Sequence, residues 1–244
     1  MSKTVVILQS SYIPWKGYLD LMNAADSFVL FDEVQFTRRD WRNRNRIMVD
    51  GRPLWLTVPV ESKGNFLGAV RDMRISDGDW ARKHWLTIQR AYSKAPFFKD
   101  YQDSFEEAYH QAGQLKFLSE VNQLFLKVLA RHFKIEPLFN DSQEVPKSAT
   151  CPTARLIEIC LAHDATDYLS GPAAKDYIEE QYFEEAGISL HYANYSGYPV
   201  YRQKAEQFRH DVSSIDLLMH EGPKAKEHLK SNESLQAFTE KGLV

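Results

Sequence analysis

A chain of 244 residues with 43% apolar content can bury a sizeable core, so a single α/β domain over 1–244 is expected. The formal charge of -3 and an isoelectric point near 6.3 argue against general nucleic-acid binding, while a local basic site remains open. Only a short apolar run follows Met-Ser-Lys-Thr, and nothing approaches the roughly 20 apolar residues of a membrane span, so a soluble, cytoplasmic protein without a membrane partner is expected.

The run Thr4 to Leu8 is short, continuous and β-branched, and Ser27 to Phe31 repeats the pattern. Tyr18 to Ala25 between them has helical spacing. The three segments read as a strand-helix-strand unit with both strands buried, hence a parallel, Rossmann-like sheet flanked by helices. Asp32 to Asn45 has no periodicity and many charges. Arg46 to Val49 and Leu54 to Val60 then flank Asp50-Gly51, a hairpin signal.

From about 78 to 134 the pattern becomes helical: Trp80, His84, Trp85 and Ile88 recur at helical spacing, Pro96 interrupts, and Leu115 to Phe133 repeats apolar residues every three or four positions. This is a helical insertion. Alternation then resumes with Pro137-Leu-Phe, a helix over about Thr153 to Leu161, a strand at Asp167 to Leu169, a helix over about Ala173 to Glu185, and a strand at Ile188 to Tyr192. The charged tail from Gly222 is expected to fray. Cys151 and Cys160 read as free thiols, and the eight histidines form no ligand-spaced pair, so no metal site is expected.

In an open parallel sheet, ligands settle at the carboxyl ends of strands near the switch in strand order. That rule selects four loops. The first ends Trp15-Lys16-Gly17-Tyr18 at a helix start, where free amides and Lys16 suit an anion; equally, Trp15 and Tyr18 could be core aromatics with Gly17 relieving their packing. Gln9 and Tyr12 belong to the same loop. The second holds five arginines in nine residues, Arg38 to Arg46, against Asp40 alone. Arg39, Arg44 and Arg46 with Trp41, Asn43, Asn45 and the preceding Gln35 suit capture of phosphate or carboxylate, and the bland alternative is a surface loop pairing with acids of the insertion. Asp32, leaving a strand, is a general base or an ordinary cap; Asp20 on the first helix reads as exposed.

The third loop, Ser170-Gly171-Pro172, leads into a helix carrying Lys175 and could address an oxyanion, or could simply be a capped helix start. The fourth, Tyr195-Ser-Gly-Tyr-Pro-Val-Tyr-Arg-Gln, sets Tyr198, Tyr201 and Gln203 where a sugar or nucleobase could be gripped, or where a rigid aromatic lid could cover the core. No Gly-x-Ser-x-Gly and no cysteine with a histidine partner support a hydrolase triad.

Read together, Ser-Tyr-Ile-Pro-Trp-Lys-Gly-Tyr, Phe-Val-Leu-Phe-Asp-Glu-Val-Gln-Phe, Asp-Trp-Arg-Asn-Arg-Asn-Arg-Ile, Trp-Leu-Thr-Val-Pro-Val and Tyr-Leu-Ser-Gly-Pro-Ala-Ala-Lys-Asp-Tyr resemble the WbqC-like protein family. The resemblance spans nearly the whole chain. It implies a bacterial protein encoded among genes for O-antigen (lipopolysaccharide) and related surface polysaccharides, with a glycine-transferase role. Members usually have Gln-Pro after the first strand; this chain has Gln9-Ser10, which is expected to loosen that loop. A weaker similarity in layout is to the HIGH-motif nucleotidyl-transfer enzymes, which activate a carboxylate with ATP, although Pro14 and Tyr18 stand where their histidines would fall.

The resulting expectation is an enzyme that acylates the amine of a nucleotide-linked sugar with glycine or another small amino acid. Lys16, Arg39, Arg44 and Arg46 would hold phosphates, Asp32 would take the proton, Ser170 and Lys175 would steady the oxyanion, and Trp15, Tyr198 and Tyr201 would stack. No cofactor is named by the sequence, and ATP with magnesium is compatible. The alternative is a non-catalytic nucleotide-sugar-binding or pathway-organising protein; no nucleic-acid partner is expected.

Overall fold

The computed structural model describes residues 2–65 and 67–241. Strands β1 (Thr4–Leu8) and β2 (Ser27–Leu30) flank helix α1 (Lys16–Ala24), and β3 (Arg44–Val49) and β4 (Arg52–Thr57) form the hairpin. Helices α2 (Trp80–Tyr92), α3 (Phe98–Ala112) and α4 (Leu118–Phe133) make up the insertion. The chain continues through β5 (Leu138–Asp141), α5 (Pro152–Ala162), β6 (Asp167–Ser170), α6 (Glu180–Glu185), β7 (Ser189–Ala193), α7 (Ser214–Glu221), α8 (Leu235–Phe238) and β8 (Thr239–Lys241).

The main sheet runs β5-β2-β1-β6-β7-β8, parallel except for β8, which lies antiparallel on β7. The continuous apolar strands expected from sequence reflect burial on both faces. Val5, Ile7 and Val29 face a cluster with Leu156 and Ile159 of α5 and Phe183 of α6. Val6, Phe28 and Leu30, on alternate positions, face a larger cluster with Leu19 of α1, Phe125 of α4 and Leu218 of α7. Ile88 of α2 and Phe105 of α3 belong to that same cluster, so the insertion shares the core of the sheet.

The hairpin turn is Asp50-Gly51 with φ of 48° and 82°, the left-handed pair that a two-residue hairpin of matching twist requires. Strands β1 and β6 are neighbours, yet the chain leaves β1 toward β2 on its other side. The switch in strand order therefore falls between the carboxyl ends of Leu8 and Ser170.

Three expectations need correction. The segment Ala173 to Glu185 is not one helix: a 3-10 turn, Pro172–Asp176, is separated from the six-residue α6. Ile178 turns into the core between them, and Thr153 Oγ1 accepts the Glu179 N–H at 3.3 Å. The charged tail does not fray up to residue 241, because Leu229 and Phe238 are buried and β8 extends the sheet. Asp20 is fully buried: its carboxylate accepts the backbone N–H groups of Lys230 and Ser231 at 2.9 and 2.8 Å, which fastens that tail to α1. Among the described residues, no helix is long and apolar enough to cross a membrane.

Candidate functional site

At the strand switch lies a cleft of about 400 Å³. Trp15, Arg42, Gly171, Pro172, Tyr195 and Asp211 are among its lining residues. The segment Gln9 to Trp15 forms one wall and is held from four sides. Asp32 Oδ1 accepts the Ser10 N–H at 2.7 Å, and Arg42 donates to the carbonyl oxygen of Gln9 at 3.0 Å and to Ser11 Oγ at 3.1 Å. Asn45 donates to the Tyr12 carbonyl at 3.2 Å, and the N–H and hydroxyl of Ser214 both reach the Pro14 carbonyl at 2.8 Å. Ile13 has φ of 35°, a left-handed conformation that costs a β-branched residue of order 1–3 kcal/mol and persists only where neighbours over-determine it.

The loop is not loosened by Ser10. Proline has no N–H to give, whereas Ser10 supplies the one that Asp32 accepts, and its hydroxyl accepts from Asn122 at 3.0 Å. Ser10 therefore pins this chain's loop at two points.

Gly17 has a specific task. A Cβ built on it would lie 2.2 Å from the Trp15 ring, so only glycine lets the indole fold back over the start of α1. There Trp15 meets Tyr195 edge to face, with ring centroids 4.9 Å apart, and Tyr198 at 5.8 Å. The Tyr195 hydroxyl lies 3.5 Å from where a Gly171 Cβ would be, which brings the turn after β6 up to the aromatic wall.

The arginine loop divides between places. Arg42 faces the switch-point cleft. Arg38, Arg39 and Arg44 line a separate open cleft of about 550 Å³ with Thr57 and Ser62. Arg44 lies 4.1 Å from the centroid of Trp55, whose ring is tilted by 39° against Trp41 at 5.4 Å, and Arg46 reaches over both indoles while its guanidinium pairs with Asp211 at 3.0 Å. Asn43 and Asn45 are buried and spend their amides on the Val58 and Tyr12 carbonyls, so they are struts of the loop.

Several expected ligand contacts point inward. Lys16 is buried, donates to the Pro199 carbonyl at 3.0 Å and lies within 6 Å of the centroids of Tyr198, Tyr201 and Phe208. Burial pushes its ammonium down to about 8, against the opposing pull of Asp20 and Asp216. The hydroxyl of Tyr198 donates to Asp20, and those of Tyr201 and the amide of Gln203 to Asp216. Tyr12 is wholly buried against His84 and Tyr109, whereas Tyr18, which donates to the Gln9 carbonyl, lines the switch-point cleft together with Trp41 and Asn45. Gln35 is exposed and bridges to Ala69.

The expected catalytic trio does not converge. Asp32 is buried and absent from the cleft wall, and burial raises its carboxyl above the ordinary range despite the Ser10 hydrogen bonds and Arg42. Its Oδ2 has no hydrogen-bond partner among the described residues. Ser170 points to the α5–α6 face, where its hydroxyl accepts from Tyr168, and Lys175 lies over the Tyr192 ring on that same face. A proton acceptor at Asp32 and an oxyanion pair at Ser170 and Lys175 would thus serve different sides of the sheet. The helix start expected to favour an anion at Ala173 is a single 3-10 turn.

Tyr195, Arg42 and Asp211 are cleft residues that the expectation left out. Tyr195 opens the aromatic run read from sequence, and the signal missed was that ring spacing within a loop does not say which phenol turns outward. Asp211 had no local signal. Among the described residues it is the one carboxylate on the cleft wall, and hydrogen bonds from Arg209, then the charge of Arg46, hold it below the usual range. The aromatic wall, Arg42 and the Gly171 turn fit the base, sugar and phosphates of a nucleotide such as ATP; any magnesium would be carried mainly by the phosphates, since Asp211 is already paired. No group of three or more metal-binding side chains converges among the described residues.

No solved structure matches this chain. The "uncharacterized protein Rv1507c" of Mycobacterium tuberculosis (strain ATCC 25618 / H37Rv) is similar to it at 38% identity over 228 residues, covering 93% of this chain and 98% of that protein. The model of the WbqC-like protein family matches residues 9–228, a span that contains the pinned loop, the arginine hairpin, the Gly171 turn and the aromatic wall. With nine-tenths of its length covered on both counts, the chain belongs to the WbqC-like protein family.

Proposed function

We propose that this protein is a transferase of bacterial surface-polysaccharide (O-antigen) biosynthesis that binds a nucleotide-linked amino sugar in the switch-point cleft and moves glycine or another small acyl group onto the sugar's amine. The observation that carries this reading is the cleft itself, where Trp15 and Tyr195, Arg42 and the Gly171 turn meet at the carboxyl ends of β1 and β6. The rings offer flat faces to a base or sugar, Arg42, whose Nη1 holds the loop and whose Nε lies 3.6 Å from Asp40, has its Nη2 left for a diphosphate, and the glycine lets backbone approach the ligand. Family membership supports the polysaccharide setting.

In the step itself the free amine attacks the carbonyl carbon of the donor. A C–N bond forms, the bond to the leaving oxygen or sulfur breaks, and the amine proton departs with the leaving group or to water. A donor that arrives activated needs positioning more than a strong base. That matches a cleft whose one carboxylate is paired, with Asp32 acting through the loop it holds as a positioning residue. The second reading, a non-catalytic nucleotide-sugar-binding or pathway-organising protein, is favoured by the same lack of an unpaired base on the cleft wall.

The test incubates purified protein with a nucleotide-linked amino sugar and glycine activated as a thioester or adenylate, and reads amide formation by mass spectrometry beside sugar-nucleotide binding by calorimetry. Trp15→Leu is expected to weaken binding by about tenfold, or ~1.4 kcal/mol. Binding without product from any activated donor would move the protein to the second reading, and absence of binding would sink both. Glycine-dependent exchange of labelled pyrophosphate into ATP would place the activation on this protein.

A further inference from the structure

A third cleft, of about 520 Å³, lies away from the strand switch, between the turn joining α2 to α3 and the strap 202–204. Arg90, Lys94, Arg202 and Lys204 line it with His220, and among the described residues Asp50 is the one carboxylate on its wall. None of the four cations makes an ion pair or hydrogen bond to another described residue. Elsewhere Arg46, Arg52, Arg82, Arg155 and Arg209 pair with acids, whereas exposed Arg39 and Arg131 make no ion pair among the described residues. Four cations lining one cavity, opposed there by Asp50, set up a local positive potential that an anion lowers.

Complementing the α2 dipole accounts for Arg90 and Lys94, which stand at its C-terminal end. It does not account for Arg202 and Lys204, which come from an irregular segment after β7.

The cavity is also built to keep its shape. Its floor is organised by Asp216, fully buried, which accepts Tyr92 Oη at 2.9 Å, Tyr201 Oη at 2.6 Å and Gln203 Nε2 at 2.7 Å. The strap is tied to the hairpin turn through the Gly51 to Ala205 bridge and the Glu206 N–H to Gly51 carbonyl bond at 3.2 Å. The opposite wall is tied down where the Phe97 N–H meets the Met219 carbonyl at 3.1 Å.

We propose that this cleft is a second ligand site, taking a phosphate-bearing small molecule whose di- or polyphosphate group is held by Arg90, Lys94, Arg202 and Lys204. Two guanidiniums and two ammoniums around one space match the many oxygens of linked phosphates better than a single carboxylate, and the volume suits a ligand of nucleotide size. The site shares no residue with the switch-point cleft, so it stands independently of the transferase reading.

Calorimetric titration of the full chain with inorganic pyrophosphate, at constant ionic strength set by chloride, tests it. The expected result is saturable binding weakened by at least about fivefold in Arg90→Ala/Lys94→Ala, in Arg202→Ala/Lys204→Ala, or in both. These side chains are exposed, and a melting curve confirms that each variant folds. Absence of saturable binding overturns the proposal. So does binding that both pairs leave within about fivefold of the parent, including binding lost instead to Arg39→Ala/Arg44→Ala in the arginine cleft.

Discussion

The wall of the switch-point cleft and the floor of the cationic cleft each rest on a buried aspartate, and the two are treated in opposite ways. Asp216 accepts three side-chain hydrogen bonds, from Tyr92, Tyr201 and Gln203. Asp32 accepts the Ser10 N–H at Oδ1, and its Oδ2 is buried without a partner among the described residues. A fully satisfied carboxylate rigidifies what surrounds it, whereas a half-satisfied one stores unfavourable energy. The difference identifies Asp216 as a fastening for the strap and helices, and Asp32 as a strained support beneath a loop that also carries Ile13 in a left-handed conformation.

The comparison breaks most readily at Asp216. Replacing it by Ala takes the acceptor from two phenol O–H groups and one of the partners of the Gln203 amide, which keeps the Arg209 carbonyl, and a loss of about 3–4 kcal/mol in urea unfolding is expected. A loss under about 1 kcal/mol would show that the network is not the fastening described.

The next effect is a pH dependence that must be removed before Asp32 can be read. Burial pushes His84 down to about 4, beside the hydroxyl of Tyr12. A histidine depressed in the fold contributes stability that is present above its ordinary value of 6.5 and is lost as pH falls toward 4. Over that window the parent should lose about 3 kcal/mol more than His84→Asn, measured by denaturation at a series of pH values. Equal losses would refute the assignment.

Asp32 carries the opposite sign, because its carboxyl is raised by burial. Its contribution is present below the ordinary carboxylate value and declines as pH rises through the folded one. Asp32→Asn keeps an acceptor for the Ser10 N–H and removes the buried charge, so at pH 7 a gain no larger than about 1 kcal/mol is expected, with transfer activity retained. A marked loss of turnover with unchanged stability would restore Asp32 as the base.

Much of the scaffold was legible because its signals are local. The apolar runs of β1 and β2, the Asp50-Gly51 turn and the helical spacing from Trp80 to Phe133 each report burial or turn geometry within a few residues. The segment after Gly171 misled, because Ile178 is drawn into the core by neighbours that no local pattern reveals. Composition also singled out loops whose residues line the switch-point cleft: the Trp15 to Tyr18 stretch, the arginine loop, the Gly171 turn and the tyrosine run. It could not assign their side chains to one cavity or another.

What the sequence determined by itself is therefore the α/β class, the hairpin, the helical insertion and the family, since periodicity, turn chemistry and ordered motifs are properties of adjacent residues. Tertiary structure alone decided that Arg42 and Tyr195 face the switch-point cleft while Lys16, Tyr198 and Tyr201 turn inward. The physical reason is that a polar tip settles wherever a buried partner offers the better hydrogen bond, and here those partners, Asp20, Asp216 and the Pro199 carbonyl, lie up to 183 residues away along the chain.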